Sequence, residues 1–158
     1  MKQLENEEII KITKPKTLFD KFYKTAATHF VKTSNGYLMG LHLRRSHSAK
    51  FEILDDNPLI IQFENGKILM LYPRSFTEGR FIGLSLTYFI VPFYKITEED
   101  LEVLVSNKIE NIRIYFTSDK VSPSNRIEDD LGTYFQYDIL SEKYKSNCMI
   151  PANCIVQN

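Results

Sequence analysis

The stretch Tyr94–Phe116, YKITEEDLEVLVSNKIENIRIYF, reads as a strand end, a capped helix, a short connection and a second strand. Thr97 stands where an N-cap belongs: its hydroxyl can accept from the amide of Asp100, and the Asp100 carboxylate can reach back to the Thr97 amide. Ile96 and Leu101 flank the cap at the spacing of a hydrophobic staple. Glu98, Glu99 and Asp100 put negative charge on the positive end of the helix dipole, which accounts for the acidic cluster without metal or acid–base chemistry. The pattern predicts a helix over Thr97 to Ser106 with Leu101, Leu104 and Val105 on its buried face. Ile112, Ile114 and Phe116 then alternate as a strand does.

Upstream, two Asn-Gly pairs predict hairpins, because both residues tolerate positive φ. His29–Thr33 and Tyr37–Arg45 flank Ser34-Asn35-Gly36, and Leu59–Glu64 and Lys67–Tyr72 flank Asn65-Gly66. Phe51–Leu54 reads as a short strand ending at the turn formers Asp55-Asp56-Asn57-Pro58. Arg80–Tyr94 is apolar on both alternating faces and is expected to form one strand covered on both sides. Leu84, Leu86 and Ile90 would meet one layer and Phe81, Phe89 and Val91 another, or one face would meet a second copy of the chain. Met1–Glu8 is charged and expected to fray, and Ile9–Thr13 is a strand that Pro15 ends. Leu18–Ala27 fits either one face of a short helix or an irregular strand. Downstream, Thr117–Asp130 reads as a polar loop around Ser122-Pro123-Ser124-Asn125. Tyr134–Leu140 follows as a last strand, and Ser141 as the cap of a C-terminal helix that Pro151 limits. The whole is an α+β fold: one domain, an antiparallel β-meander of one or two layers, with the capped helix packed on it.

The segments NGYLMGLHL, LIIQFENGKILMLY and YKITEEDLEVLVSNKIENIRIYF together resemble small uncharacterised α+β families common among gut Bacteroidetes. In those families a β-meander is followed by a helix of the pattern I-x-x-E-D-L-x-x-L and a strand I-x-x-I-R-I. The likeness spans Phe30 to Phe116. It implies a fold and carries no catalytic residues.

Twenty basic and twenty acidic side chains cancel, so no overall field favours nucleic acid or an anionic membrane, and any attraction would have to come from a local patch. MKQLENEEII has none of the features of a signal peptide, and the longest uncharged run, Phe81–Tyr94, is too short to span a bilayer as a helix. A cytoplasmic protein without a membrane partner is the expectation, with Cys148 and Cys154 as free, inert thiols. No phosphate-binding loop, dinucleotide fingerprint, nucleophile elbow or zinc motif occurs, so no cofactor or metal is expected.

The candidates for chemistry are few. Among His29, His42 and His47, the last two are the candidate catalytic groups: His42 because it shares a strand face with Gly40 and Arg44, His47 because it lies in the basic loop that follows. Arg44, Arg45 and Arg113 are the candidate binding residues. Arg44 and Arg45 point to opposite strand faces, and Arg113 is expected to pair with a carboxylate. The preferred function is non-catalytic binding, to a protein partner or a second copy, because the conspicuous residues are packing residues and aromatics. The alternative is a small enzyme using His42 or His47 with a nearby carboxylate. Nucleic-acid binding is disfavoured by the charge balance.

Overall fold

The structure, a computed structural model, describes residues 7–84, 86–119 and 127–157. The predicted α+β class holds: about half of the chain is antiparallel sheet, and the helices are few and short. The elements are β1 (Ile9–Ile12), β2 (Lys16–Lys21), β3 (Lys24–Thr33), β4 (Gly36–Arg45), β5 (Glu52–Ile53), β6 (Leu59–Phe63) and β7 (Ile68–Leu71). They continue with β8 (Thr77–Glu78), β9 (Arg80–Ile82), β10 (Thr87–Ile90), β11 (Phe93–Ile96), α1 (Glu98–Ser106) and β12 (Ile109–Phe116). The last are β13 (Ile127–Asp129), β14 (Gly132–Asp138), α2 (Glu142–Lys145) and α3 (Met149–Val156).

Two sheets form. In the larger, β3 and β4 lie at the centre, flanked by β1 and β2 on one side and by β10, β11 and β9 on the other. The smaller runs β13-β14-β12-β6-β7. Isolated bridges Pro73↔Tyr94 and Glu52↔Thr117 stitch strand segments together outside the named strands. Between the sheets lies one core, in which Phe30, Met39, Leu41 and Leu43 meet Ile61, Ile112, Ile114 and Phe135. Leu101 and Leu104 of α1 and Ala152 and Ile155 of α3 join the same cluster, and these two helices pack on each other.

The two central strands are each flanked by a strand in two pieces. β10 and β11 run along β4 in one unbroken register, Tyr88↔Arg45 to Ile96↔Tyr37, interrupted at Val91-Pro92 because Pro92 has no N–H to give. β1 and β2 follow β3 with Pro15 at the break, but their register shifts within each piece, between Ile9 and Lys11 and between Thr17 and Phe19.

The capped helix forms as its sequence predicts: Thr97 Oγ1 accepts from the Asp100 amide at 3.1 Å, and the Thr97 amide donates to Asp100 Oδ2 at 3.0 Å. Both Asn-Gly hairpins form, the first beginning earlier than expected, at Lys24.

Other expectations are corrected. Arg80–Tyr94 is not one strand. It folds back at Gly83, whose φ of 61° suits glycine, so that Ile82 pairs with Thr87, and Leu84 and Leu86 are exposed rather than buried. Among the described residues of that run only Tyr88, Ile90, Pro92, Phe93 and Tyr94 are buried. The central place belongs to β4, which the Asn-Gly turn aligns on β3 over ten residue pairs. Leu18–Ala27 takes the strand alternative, as β2 and the start of β3, which pair antiparallel around the Phe22-Tyr23 turn with Leu18 and Ala26 in the core. The C-terminal helix is two, Ser141 makes no side-chain cap, and Pro151 sits in the first turn of α3, where its missing N–H is no loss. Lys11 of β1 caps the other end of α3, donating to the carbonyls of Cys154 at 2.6 Å and Gln157 at 3.3 Å. Glu7 and Glu8 are not frayed: Glu7 pairs with Arg74, and the Glu8 carbonyl accepts from Ser34. The expected loop Thr117–Asp130 contains β13, while Ser122-Pro123-Ser124-Asn125 and Met1 to Asn6 lie outside the described residues.

Candidate functional site

The sheet registers stack the outer face of the larger sheet into rows. Asp20, Thr25, Arg44, Phe89 and Arg80 follow one another across five strands. The next row carries Thr17, Ala27 and His42, and the next His29, Gly40 and Phe93. A cleft of about 390 Å³ opens on this face, lined by Thr17, Asp20, Thr25, His42, Arg44 and Phe89 among others.

His42 lines the cleft and belongs to a histidine pair. His29 Nδ1 and His42 Nε2 are 2.7 Å apart, so one ring must donate and the other accept. His29 sits opposite Gly40 and lies across it: a Cβ on Gly40 would collide with the imidazole. Gly40 is thus the space that lets His29 reach His42, and the edge of Phe93 closes its other side at 5.5 Å. Burial, reinforced by the proximity of His42, holds His29 down to about 4. Burial and then the Arg44 charge lower His42 as well. Both rings are therefore neutral at pH 7.

At the mouth stand the cations. The Arg44 guanidinium lies 5.3 Å and that of Arg80 5.9 Å from the centre of the Phe89 ring. Among the described residues neither arginine has a carboxylate within ion-pair distance, although Asp20 lines the same cleft.

His42 and Arg44 thus come together, as their shared strand face predicts. His47 does not join them: it lies exposed beyond β4, its ring edge-on to Tyr23 at 6.5 Å. Arg45 turns to the inner side, 3.6 Å from the Phe135 ring centre, and donates to the Tyr137 hydroxyl at 2.5 Å. Arg113 belongs to the other sheet, where Asp129 Oδ2 lies at 3.6 Å and Nε donates to Gln136 at 3.0 Å, the structural pairing expected for it. Cys148 is buried and its thiol pushed up to about 12, the wrong direction for a nucleophile.

Sequence reasoning missed His29, Phe89 and Asp20. A signal for His29 was present: counting back from the Asn35-Gly36 turn sets it opposite Gly40, and a glycine inside a strand marks a close approach.

The same end of the sheet carries a second feature. Among the described residues, φ is positive outside glycine at Phe22 (54°), Tyr23 (60°), His47 (56°) and Leu86 (53°). All four lie in neighbouring turns, laced by Ser46 N to the Tyr23 carbonyl at 3.0 Å and Ser46 Oγ to Thr87 Oγ1 at 3.2 Å. Left-handed backbone costs a residue with a Cβ roughly 1–2 kcal/mol, so bulky side chains are held there against preference.

Compared with protein-family models, with curated proteins and with solved structures, the chain finds no significant match, and no residue role is carried to it from another protein.

Proposed function

We propose that the protein is a non-catalytic binding domain whose site is the cleft over His42, taking a small ligand with an aromatic or flat apolar body and an acidic group. The observation that carries this reading is the Arg44–Phe89–Arg80 arrangement: two guanidinium groups flank one half-buried ring beside an open cleft, with no carboxylate at ion-pair distance among the described residues. Arginine matches the planar geometry of carboxylate and phosphate, and Phe89 with Thr17, Thr25 and Ala27 offers the apolar contact such a ligand needs. The neutral histidine pair supplies a hydrogen bond without adding charge.

The enzyme reading has one observation in its favour, that His42 and Asp20 line the same cleft. Against it, His42 Nε2 is engaged by His29, no carboxylate orients either ring among the described hydrogen bonds, and the cleft is open to water.

The test is a thermal-shift and calorimetric survey with small aromatic carboxylates and phosphate monoesters. Saturable stabilisation by at least one ligand, abolished by Arg44→Gln and by Phe89→Ala, is expected. No response to any ligand, or the same response in Arg44→Gln, would overturn the reading. Turnover of a bound ligand that His42→Asn stops while binding persists would replace it with the enzyme.

A further inference from the structure

We infer that the end of the larger sheet formed by the β2–β3 and β9–β10 turns docks onto an anionic lipid surface. This rests on the tips of the turns and not on the cleft beside them.

Phe22 is 74 % exposed, Tyr23 81 %, Leu86 61 %, and Leu84 wholly so at 105 %. These side chains project from the ends of tight turns, so the apolar surface is convex and interrupted, not a groove. The registers put the two turns side by side, one on each flank of β4: Lys24 and Tyr88 both pair with Arg45, one strand on either side of it. With neighbouring strands roughly 4.8 Å apart, the tips fall within one contiguous patch.

Cations stand directly behind the tips. Lys21 and Lys24 bracket Phe22-Tyr23, the Lys21 ammonium lying 4.8 Å over the Phe22 ring. Arg44 and Arg80 follow on the outer face, and these four outnumber Asp20, the carboxylate of the same strands, and Glu78 of β8, two residues before Arg80. The chain as a whole is neutral, so the fold has separated charge that the composition balances. Large apolar and aromatic tips with lysine and arginine set one or two residues back match the depth profile of a bilayer surface, apolar groups below the headgroups and cations among them. A second copy would bring the same cations face to face. No helix among the described residues is long and apolar enough to cross a membrane, so the contact is with the surface.

The turn chemistry points the same way. A two-residue hairpin loop with both residues left-handed calls for Asn-Gly, and at this chain's two Asn-Gly pairs only the glycine takes positive φ. The β2–β3 turn holds Phe22 and Tyr23 both left-handed, which folding alone does not favour.

The experiment is co-sedimentation of the full chain with phosphatidylcholine vesicles, with and without phosphatidylserine, alongside light scattering. The protein should pellet with the phosphatidylserine vesicles only, and less so as salt is raised. Leu84→Ser with Leu86→Asn should lower partitioning at least about tenfold, since each buried apolar tip contributes to insertion. Phe22→Asn with Tyr23→Gly, which relieves strain rather than adding it, should do the same in a protein that melts higher. Neither variant lines the cleft, so ligand stabilisation through Arg44 and Phe89 should be unaffected by the tip changes. No pelleting with either vesicle, equal pelleting with both, or undiminished pelleting of both variants would overturn the inference. So would a dimer that the tip variants convert to monomer.

Discussion

The two ends of the larger sheet are built on opposite terms. At one end β3 turns into β4 through Ser34-Asn35-Gly36, polar residues with the positive φ of 140° given to glycine, and the Thr33 hydroxyl accepts from the Asn35 amide at 3.2 Å. At the other end, three neighbouring turns place phenylalanine, tyrosine, histidine and leucine in left-handed backbone and leave the large apolar side chains in water. The first end is what a sequence selected for stability writes. The second gives up stability for what its side chains present, and strain confined to one end of a fold is the physical mark of a surface under another demand.

The comparison can be broken most directly by giving the strained end the chemistry of the relaxed one. Phe22→Asn with Tyr23→Gly should raise the unfolding free energy by about 2 kcal/mol, from two left-handed residues relieved at roughly 1–2 kcal/mol each, less some lost contact. Denaturant midpoints would measure it, and an unchanged or lower midpoint would show that the aromatic turn is not strained.

Next in size, Gly40→Ala should destabilise by about 2 kcal/mol through collision with His29, within the range for overpacking. Combining it with His29→Ala should restore most of that loss. Additive losses in the double variant would mean that the glycine serves something other than room for the imidazole.

Thr97→Ala should cost about 1 kcal/mol, because it removes one half of the reciprocal cap that begins α1. That helix begins beside the Ser34-Asn35-Gly36 end, where Glu98 accepts from the Tyr37 hydroxyl at 3.0 Å, and lies at the far end of β4 from Phe22-Tyr23, so its effect should add to that of the Phe22-Tyr23 exchange. A non-additive sum would mean that the ends are coupled to the helix through the core.

A further effect is a slope with pH. His29 is held at about 4 in the fold, by burial first and by His42 second, against about 6.5 in the unfolded chain. The unfolded chain therefore binds the proton first, so stability is level above about pH 6.5 and declines as the pH falls toward 4. Between pH 6.5 and 5, where ordinary carboxylates stay ionised, His29→Asn should flatten the decline. Identical slopes in wild type and variant would remove the histidine pair as its source.

Much of the frame was legible in the residues. The capped helix, both Asn-Gly hairpins and the α+β class follow from short-range rules, since a cap or a two-residue turn is decided by residues adjacent in sequence. Arg80–Tyr94 misled because periodicity cannot register a reversal at a glycine: Phe81 and Tyr88 read as points along one strand yet face each other across two. For the site, His42 and Arg44 were visible through their shared strand face, while Phe89, Asp20 and Arg80 come from other strands and meet them only through registers that no local signal fixes.

The sequence by itself determined where the chain turns at Asn35-Gly36 and Asn65-Gly66, where α1 begins, and that charge cancels overall, because each depends on neighbours or on composition. Only the tertiary structure decided that β4 takes the centre, that His29 crosses Gly40 to reach His42, and that apolar tips and cations gather at one end of a neutral chain. Those outcomes depend on which strands pair and in what register, and pairing is settled by burying the faces of all the strands at once in one core between two sheets.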